Sequence, residues 1–107
     1  MGRPQVKEIR DFLERVRKKL KPQKIILFGS RARREALEES DFDLVIVSSA
    51  FRNMCMHDRI VKVLELNKGG VGIEPICLTP EEFEKKSKEI CVVKEAVREG
   101  IDLTRSG

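Results

Sequence analysis

Val6, Ile9, Phe12, Leu13, Val16 and Leu20 recur at three- and four-residue steps, laying one apolar stripe along a helix over residues 4–20. Pro4 suits its first turn, and Lys21-Pro22-Gln23 ends it. The spacing then collapses into a continuous run, Ile25-Ile26-Leu27-Phe28, bounded by Gly29, which reads as a short buried strand. Arg31 to Glu39 is charged and rich in helix formers, predicting a short helix that starts at Ser30 or Arg31. A second strand follows over Asp41 to Val47 and closes at Ser48-Ser49-Ala50. Residues 51–57 show no period, with Phe51, Met54 and Met56 as packing residues. From Asp58 to Leu66 the helical spacing returns, with Ile60, Val61, Val63 and Leu64 available to cover a sheet and Lys68-Gly69-Gly70 as the stop. Val71 to Leu78 is the third strand, and Pro75 places it at a sheet edge, because proline cannot donate to a ladder. Thr79-Pro80-Glu81-Glu82 is a helix start by its local chemistry: cap, first-turn proline, then acids at the positive end. The helix over Pro80 to Lys88 leads into another over Ile90 to Glu99, carrying Val92, Val93, Ala96 and Val97, with Gly100 as the stop and 101–107 as a tail.

These elements define an α/β chain of the α+β kind: a small mixed three-stranded sheet with helices packed on one face, in one domain over residues 1–107. At 40% hydrophobic and 37% charged residues, the chain is globular with a highly charged surface rather than disordered. No apolar run approaches the length of a membrane span, and MGRPQVKEIR has no apolar signal core, so a soluble, cytoplasmic protein is expected. Cys55, Cys77 and Cys91 are an odd number without metal-like spacing; Cys77 and Cys91 read as small core residues in a reducing compartment.

The chemistry concentrates in two places. Asp41 and Asp43 stand at i and i+2 of a strand, so they share a face with Cα atoms roughly 6.5–7 Å apart. Two such carboxylates repel unless a cation sits between them, and a hard divalent ion such as Mg²⁺ prefers oxygen ligands. Gly29-Ser30 ends the preceding strand and opens the charged segment, so free N–H groups and the positive end of a helix dipole would form an anion site there. For a metal at Asp41 to serve a phosphate at Gly29-Ser30, the first two strands must be antiparallel neighbours. Glu74 interrupts an otherwise apolar strand; it is either a third acid beside Asp41 and Asp43 or an edge residue that faces solvent or pairs with an arginine. The net charge of +4 gathers in two clusters. Arg15, Arg17, Lys18, Lys19, Lys21 and Lys24 suit a helix C-terminus, whereas Arg31, Arg33 and Arg34 flank the phosphate site. His57, the single histidine, is read as a capping or surface residue.

GSRAR followed by SDFDL, with eleven residues from Ser30 to Asp41, resembles the G-S-x-A-R-G…S-D-x-D-L signature of the polymerase-β-like nucleotidyltransferases, in particular their minimal members. The resemblance extends over roughly residues 24–84, where Glu74 and Thr79-Pro80-Glu81-Glu82 match the family's third acid and the helix start after it. Arg34 departs from the usual glycine and Glu74 from the more common aspartate. The resemblance implies a polymerase-β-like palm fold and transfer of a nucleoside monophosphate, AMP from ATP, to an acceptor hydroxyl with release of pyrophosphate. It implies two Mg²⁺ ions, with Mn²⁺ as a substitute, held by Asp41, Asp43 and Glu74. Glu74 would also help take the acceptor's proton. Gly29 and Ser30 would hold the triphosphate, with Arg31 or Arg33 as charge partners; Arg33 can equally tie the short helix to an acid. Minimal members are often encoded beside helical HEPN proteins as antitoxin and toxin, which implies a HEPN-type partner that is either modified with AMP or simply bound by a non-catalytic module. A nucleic-acid-end or antibiotic-modifying transferase is a third reading, weakened because relatives of that kind carry added domains for the acceptor.

Overall fold

The computed structural model describes residues 9–29, 42–68, 72–89 and 92–104. Helix α1 (Arg10–Leu20) buries Phe12, Leu13, Val16 and Leu20 and ends on Lys21 in the left-handed conformation. Strand β1 (Lys24–Phe28) runs antiparallel to β2 (Phe42–Val47), so that Lys24 stands opposite Val47 and Phe28 opposite Asp43. A single 3-10 turn at Ser49–Phe51 is capped by the Ser48 hydroxyl and leads to α2 (Met56–Leu64). Strand β3 (Ile73–Leu78) then pairs parallel to β2, and α3 (Pro80–Lys86) and α4 (Val92–Glu99) complete the helices. The antiparallel pairing of the first two strands and the edge position of β3 match the sequence reading.

Two features exceed it. Residues expected as a tail include a fourth strand, β4 (Ile101–Asp102), antiparallel to β1, giving the sheet order β3-β2-β1-β4. Helices also cover both faces of the sheet rather than one. Strand residues alternate, and both sets are apolar here. Ile25, Leu27, Phe42, Leu44 and Ile46 form one core with α1 and Val63 of α2. Ile26, Val45, Val47 and Leu78 form a second with Val93 and Ala96 of α4, against which Phe83 of α3 packs. A continuous apolar strand such as Leu44-Val45-Ile46-Val47 is the sequence mark of a sheet buried on both sides.

Short ties fasten the ends. Arg17 donates to the carbonyls of Leu103 at 2.8 Å and Thr104 at 3.1 Å, and the Ile25 amide donates to Thr104 Oγ1 at 3.1 Å. Lys24 pairs with Asp102 across the same edge, and Arg15 donates to the Leu66 carbonyl, so half of the first basic cluster is structural. No described helix is long and apolar enough to cross a membrane.

Candidate active site

Three strands bring chemistry to one end of the sheet. In β1–β2 pairing Phe28 is opposite Asp43, and in β2–β3 pairing Asp43 is opposite Glu74. Directly paired residues on neighbouring strands share a face, with adjacent strands about 4.8 Å apart. Phe28, Asp43 and Glu74 therefore form a row across the sheet, on the face that carries the second core. Glu74 is exposed on the edge strand, Asp43 is half-buried between its neighbours, and Phe28 packs against the second core.

Gly29 follows Phe28 with φ +78°, a conformation that side chains other than hydrogen seldom adopt. A methyl group there would run into Asp43 Oδ2 and lie 3.3 Å from its Cγ. At Gly29 the chain thus passes directly against the carboxylate. Of the expected site residues, Gly29, Asp43 and Glu74 are brought together; Asp41, Ser30, Arg31 and Arg33 lie outside the described residues, as do Arg34 and Cys91. Oxygen donors on adjacent strands, beside a bare turn, suit a hard divalent cation. Among the described residues no group of three His, Cys, Asp or Glu side chains assembles into a metal site, the expected third ligand, Asp41, not being one of them.

The other polar feature was not anticipated. The sequence spacing offers Val61 and Leu64 to the sheet, but both are exposed, and Arg59 is buried in their place at 7% exposure. Its Nη1 donates to Glu82 Oε1 at 2.6 Å and to the Cys77 carbonyl at 3.1 Å, Nη2 donates to Glu82 Oε2 at 3.2 Å, and Nε donates to the Met54 carbonyl at 2.9 Å. The guanidinium also lies 6.0 Å from the centre of the Phe51 ring. Glu82 in turn completes the capping box of α3, accepting from the Thr79 amide at 2.9 Å while its own amide donates to Thr79 Oγ1 at 3.2 Å. The hydrogen bond from Arg59 holds the Glu82 carboxyl below the usual carboxylate range. Burial pushes the Cys77 thiol up to about 12. The available signal was Arg59 standing four residues before Val63 on one helix face. His57 is exposed at the start of α2, as expected.

The model of the nucleotidyltransferase domain matches residues 9–99. This chain belongs to the nucleotidyltransferase domain family, and its class of chemistry is nucleotidyl transfer. Among solved structures it is similar to a candidate nucleotidyltransferase from Sulfolobus solfataricus, at 23% identity and TM-score 0.60, over 95% of this chain and 86% of that one. It is also similar to BolA1 from Arabidopsis thaliana (24% identity, TM-score 0.56, 70% of this chain and 94% of that one). The BolA domain of SufE1 from the same plant is a further likeness (23%, 0.55, 77% and 98%). At these identities the structural likenesses speak for the fold alone. No curated protein matches the sequence.

Proposed function

We propose that this chain is a Mg²⁺-dependent nucleotidyltransferase that moves AMP from ATP to a hydroxyl on a partner protein, a helical HEPN-type toxin for which it serves as antitoxin. The observation that carries the catalytic part is the row of Asp43 and Glu74 in register on neighbouring strands, with Gly29 turning bare against Asp43. In this reading Asp41 and Asp43 hold the divalent ions and, through them, the triphosphate, while the backbone at Gly29 and the hydroxyl of Ser30 receive phosphate oxygens. Arg31 and Arg33 supply positive charge beside them. Glu74, exposed at the edge, completes the ligand set and accepts the proton of the incoming hydroxyl. Bound divalent ions supply charge neutralisation for the attacking and leaving oxygens of an in-line displacement. A partner-binding module without chemistry has no use for acids in register beside a bare turn.

Titration calorimetry tests the site. ATP binding is expected to need Mg²⁺ or Mn²⁺, and Asp41→Asn with Asp43→Asn is expected to abolish the metal-dependent part, since amides keep the shape and lose the charge. Glu74→Gln is expected to keep nucleotide affinity within a few-fold and lower turnover by about 10²-fold. Metal-dependent binding that survives the double substitution would remove the site from this stretch. Unchanged turnover in Glu74→Gln would leave Glu74 as an edge acid only.

A further inference from the structure

Among the described residues, the strand that carries Glu74 is paired with the sheet on one side only. The Phe42 amide donates to the Gly72 carbonyl and the Ser48 amide to the Leu78 carbonyl, both at 2.9 Å, so the even-numbered residues of β3 face β2. In a parallel pair, the intervening residues turn their backbone groups to the other side. On that outer side Pro75 has no N–H to offer, and the Cys77 carbonyl is taken by Arg59. The same guanidinium grips Glu82, at the start of the helix that continues β3, and the Met54 carbonyl in the segment that leads into α2. Arg59 therefore fixes β3 from outside, at its far end and just beyond it.

That matters for the site because register decides where Glu74 lies. A one-residue slip of β3 turns Glu74 to the opposite face, and a two-residue slip keeps the face but moves it by about 6.6 Å. Either separates it from Asp43. We propose that Arg59 is a positioning residue for nucleotidyl transfer: by holding the outer edge of β3, it keeps Glu74 opposite Asp43. The task requires a fork, since three directions are bonded at once, and lysine carries the charge without the fork. The inference rests on the reading of Glu74 as a metal ligand.

The test is a double-mutant cycle read by Mn²⁺ affinity, from electron paramagnetic resonance in the presence of a non-hydrolysable triphosphate analogue. Wild type, Arg59→Lys, Glu74→Gln and the double variant are compared, each at a temperature where circular dichroism shows it folded. Arg59→Lys is expected to weaken Mn²⁺ binding by about 10-fold, the scale for loss of a residue that orients a ligand. Once Glu74 is glutamine, Arg59→Lys is expected to add little, because both changes remove the same contact. Glu82→Gln, which leaves the arginine in place, is expected to shift affinity in the same direction by less, and it substitutes in the cycle if Arg59→Lys does not fold. Wild-type Mn²⁺ affinity in folded Arg59→Lys, or additive losses in the cycle, would overturn the proposal while leaving Glu74 a ligand. Glu74→Gln itself is expected to weaken Mn²⁺ binding, and unchanged Mn²⁺ affinity in that variant would overturn both this proposal and the reading of Glu74 as a ligand.

Discussion

Two glycines separate what the site needs from what the fold needs. Gly29 combines a left-handed backbone with a close approach to the Asp43 carboxylate, whereas a methyl group added at Gly100 would run into the Ala96 carbonyl and lie 2.5 Å from Ile26 Cγ2 and 2.8 Å from the Leu27 carbonyl. Gly29→Ala meets the left-handed penalty of roughly 1–2 kcal/mol and also displaces Asp43. It is expected to lower stability by about that amount and to weaken Mn²⁺-dependent nucleotide binding together with it. Gly100→Ala is expected to lower the thermal midpoint and leave binding by the folded protein unchanged, because its neighbours belong to the α4–β1 packing. Thermal melts and calorimetry on both variants check this; equal binding losses would mean that Gly29 acts through stability alone. At this scale much was legible. Gly29, Asp43 and Glu74 stand out from residue type and spacing; the register sets Glu74 beside Asp43, and Gly29 approaches the Asp43 carboxylate. Phe28 was legible only as a strand residue, since its place in the row depends on a pairing between segments distant in sequence.

At the scale of elements, local chemistry is the reliable guide and hydrophobic spacing the poor one. Thr79-Pro80-Glu81-Glu82 forms the expected helix start as a full capping box. The fourth strand is not legible because Ile101-Asp102 is too short to show a period; it is held by pairing with β1, by Lys24 on Asp102, by the Leu103 amide on the Ile25 carbonyl and by Arg17 of α1 on the Leu103 carbonyl. The face of α2 was misjudged because a spacing rule counts arginine as polar, whereas its stem and fork can fill a buried, fully bonded place. This ion pair makes a prediction about pH. The Glu82 carboxyl is depressed, first by the hydrogen bond from Arg59 and then by the Thr79 amide against the opposing effect of burial. A depressed group contributes stability above its unfolded pKa, about 4.3, and that contribution is lost as pH falls through the folded value. Wild type is therefore expected to lose more stability than Glu82→Gln between neutral pH and about pH 3, by a small margin because the carboxylate is partly exposed. Urea midpoints at the two pH values decide it, and parallel losses in both proteins would assign the acid limb to other carboxylates.

The molecule as a whole shows why fold and chemistry have to be argued separately. Its architecture is shared, at similar TM-scores, with a candidate nucleotidyltransferase and with BolA proteins, so the acids at the sheet end, not the sheet, distinguish the reading offered for it. In-line transfer needs the acceptor hydroxyl fixed against the α-phosphate, and positioning supplies much of the rate. The described helices are already engaged: α1 and α2 in one core, α4 with Phe83 of α3 in the other. The proposed helical partner would supply a wall for the acceptor. In the proposed reading the acceptor hydroxyl belongs to the partner. With Mg²⁺ and labelled ATP, label is therefore expected on the co-purified partner and not on this chain, with a mass increase of one AMP per modified site. Asp43→Asn is expected to abolish the label and to leave the proposed complex intact. Label on this protein's own serine or threonine, or only on added RNA, would sink the assignment of the acceptor. An unlabelled complex that nonetheless silences the partner would replace transfer by simple binding.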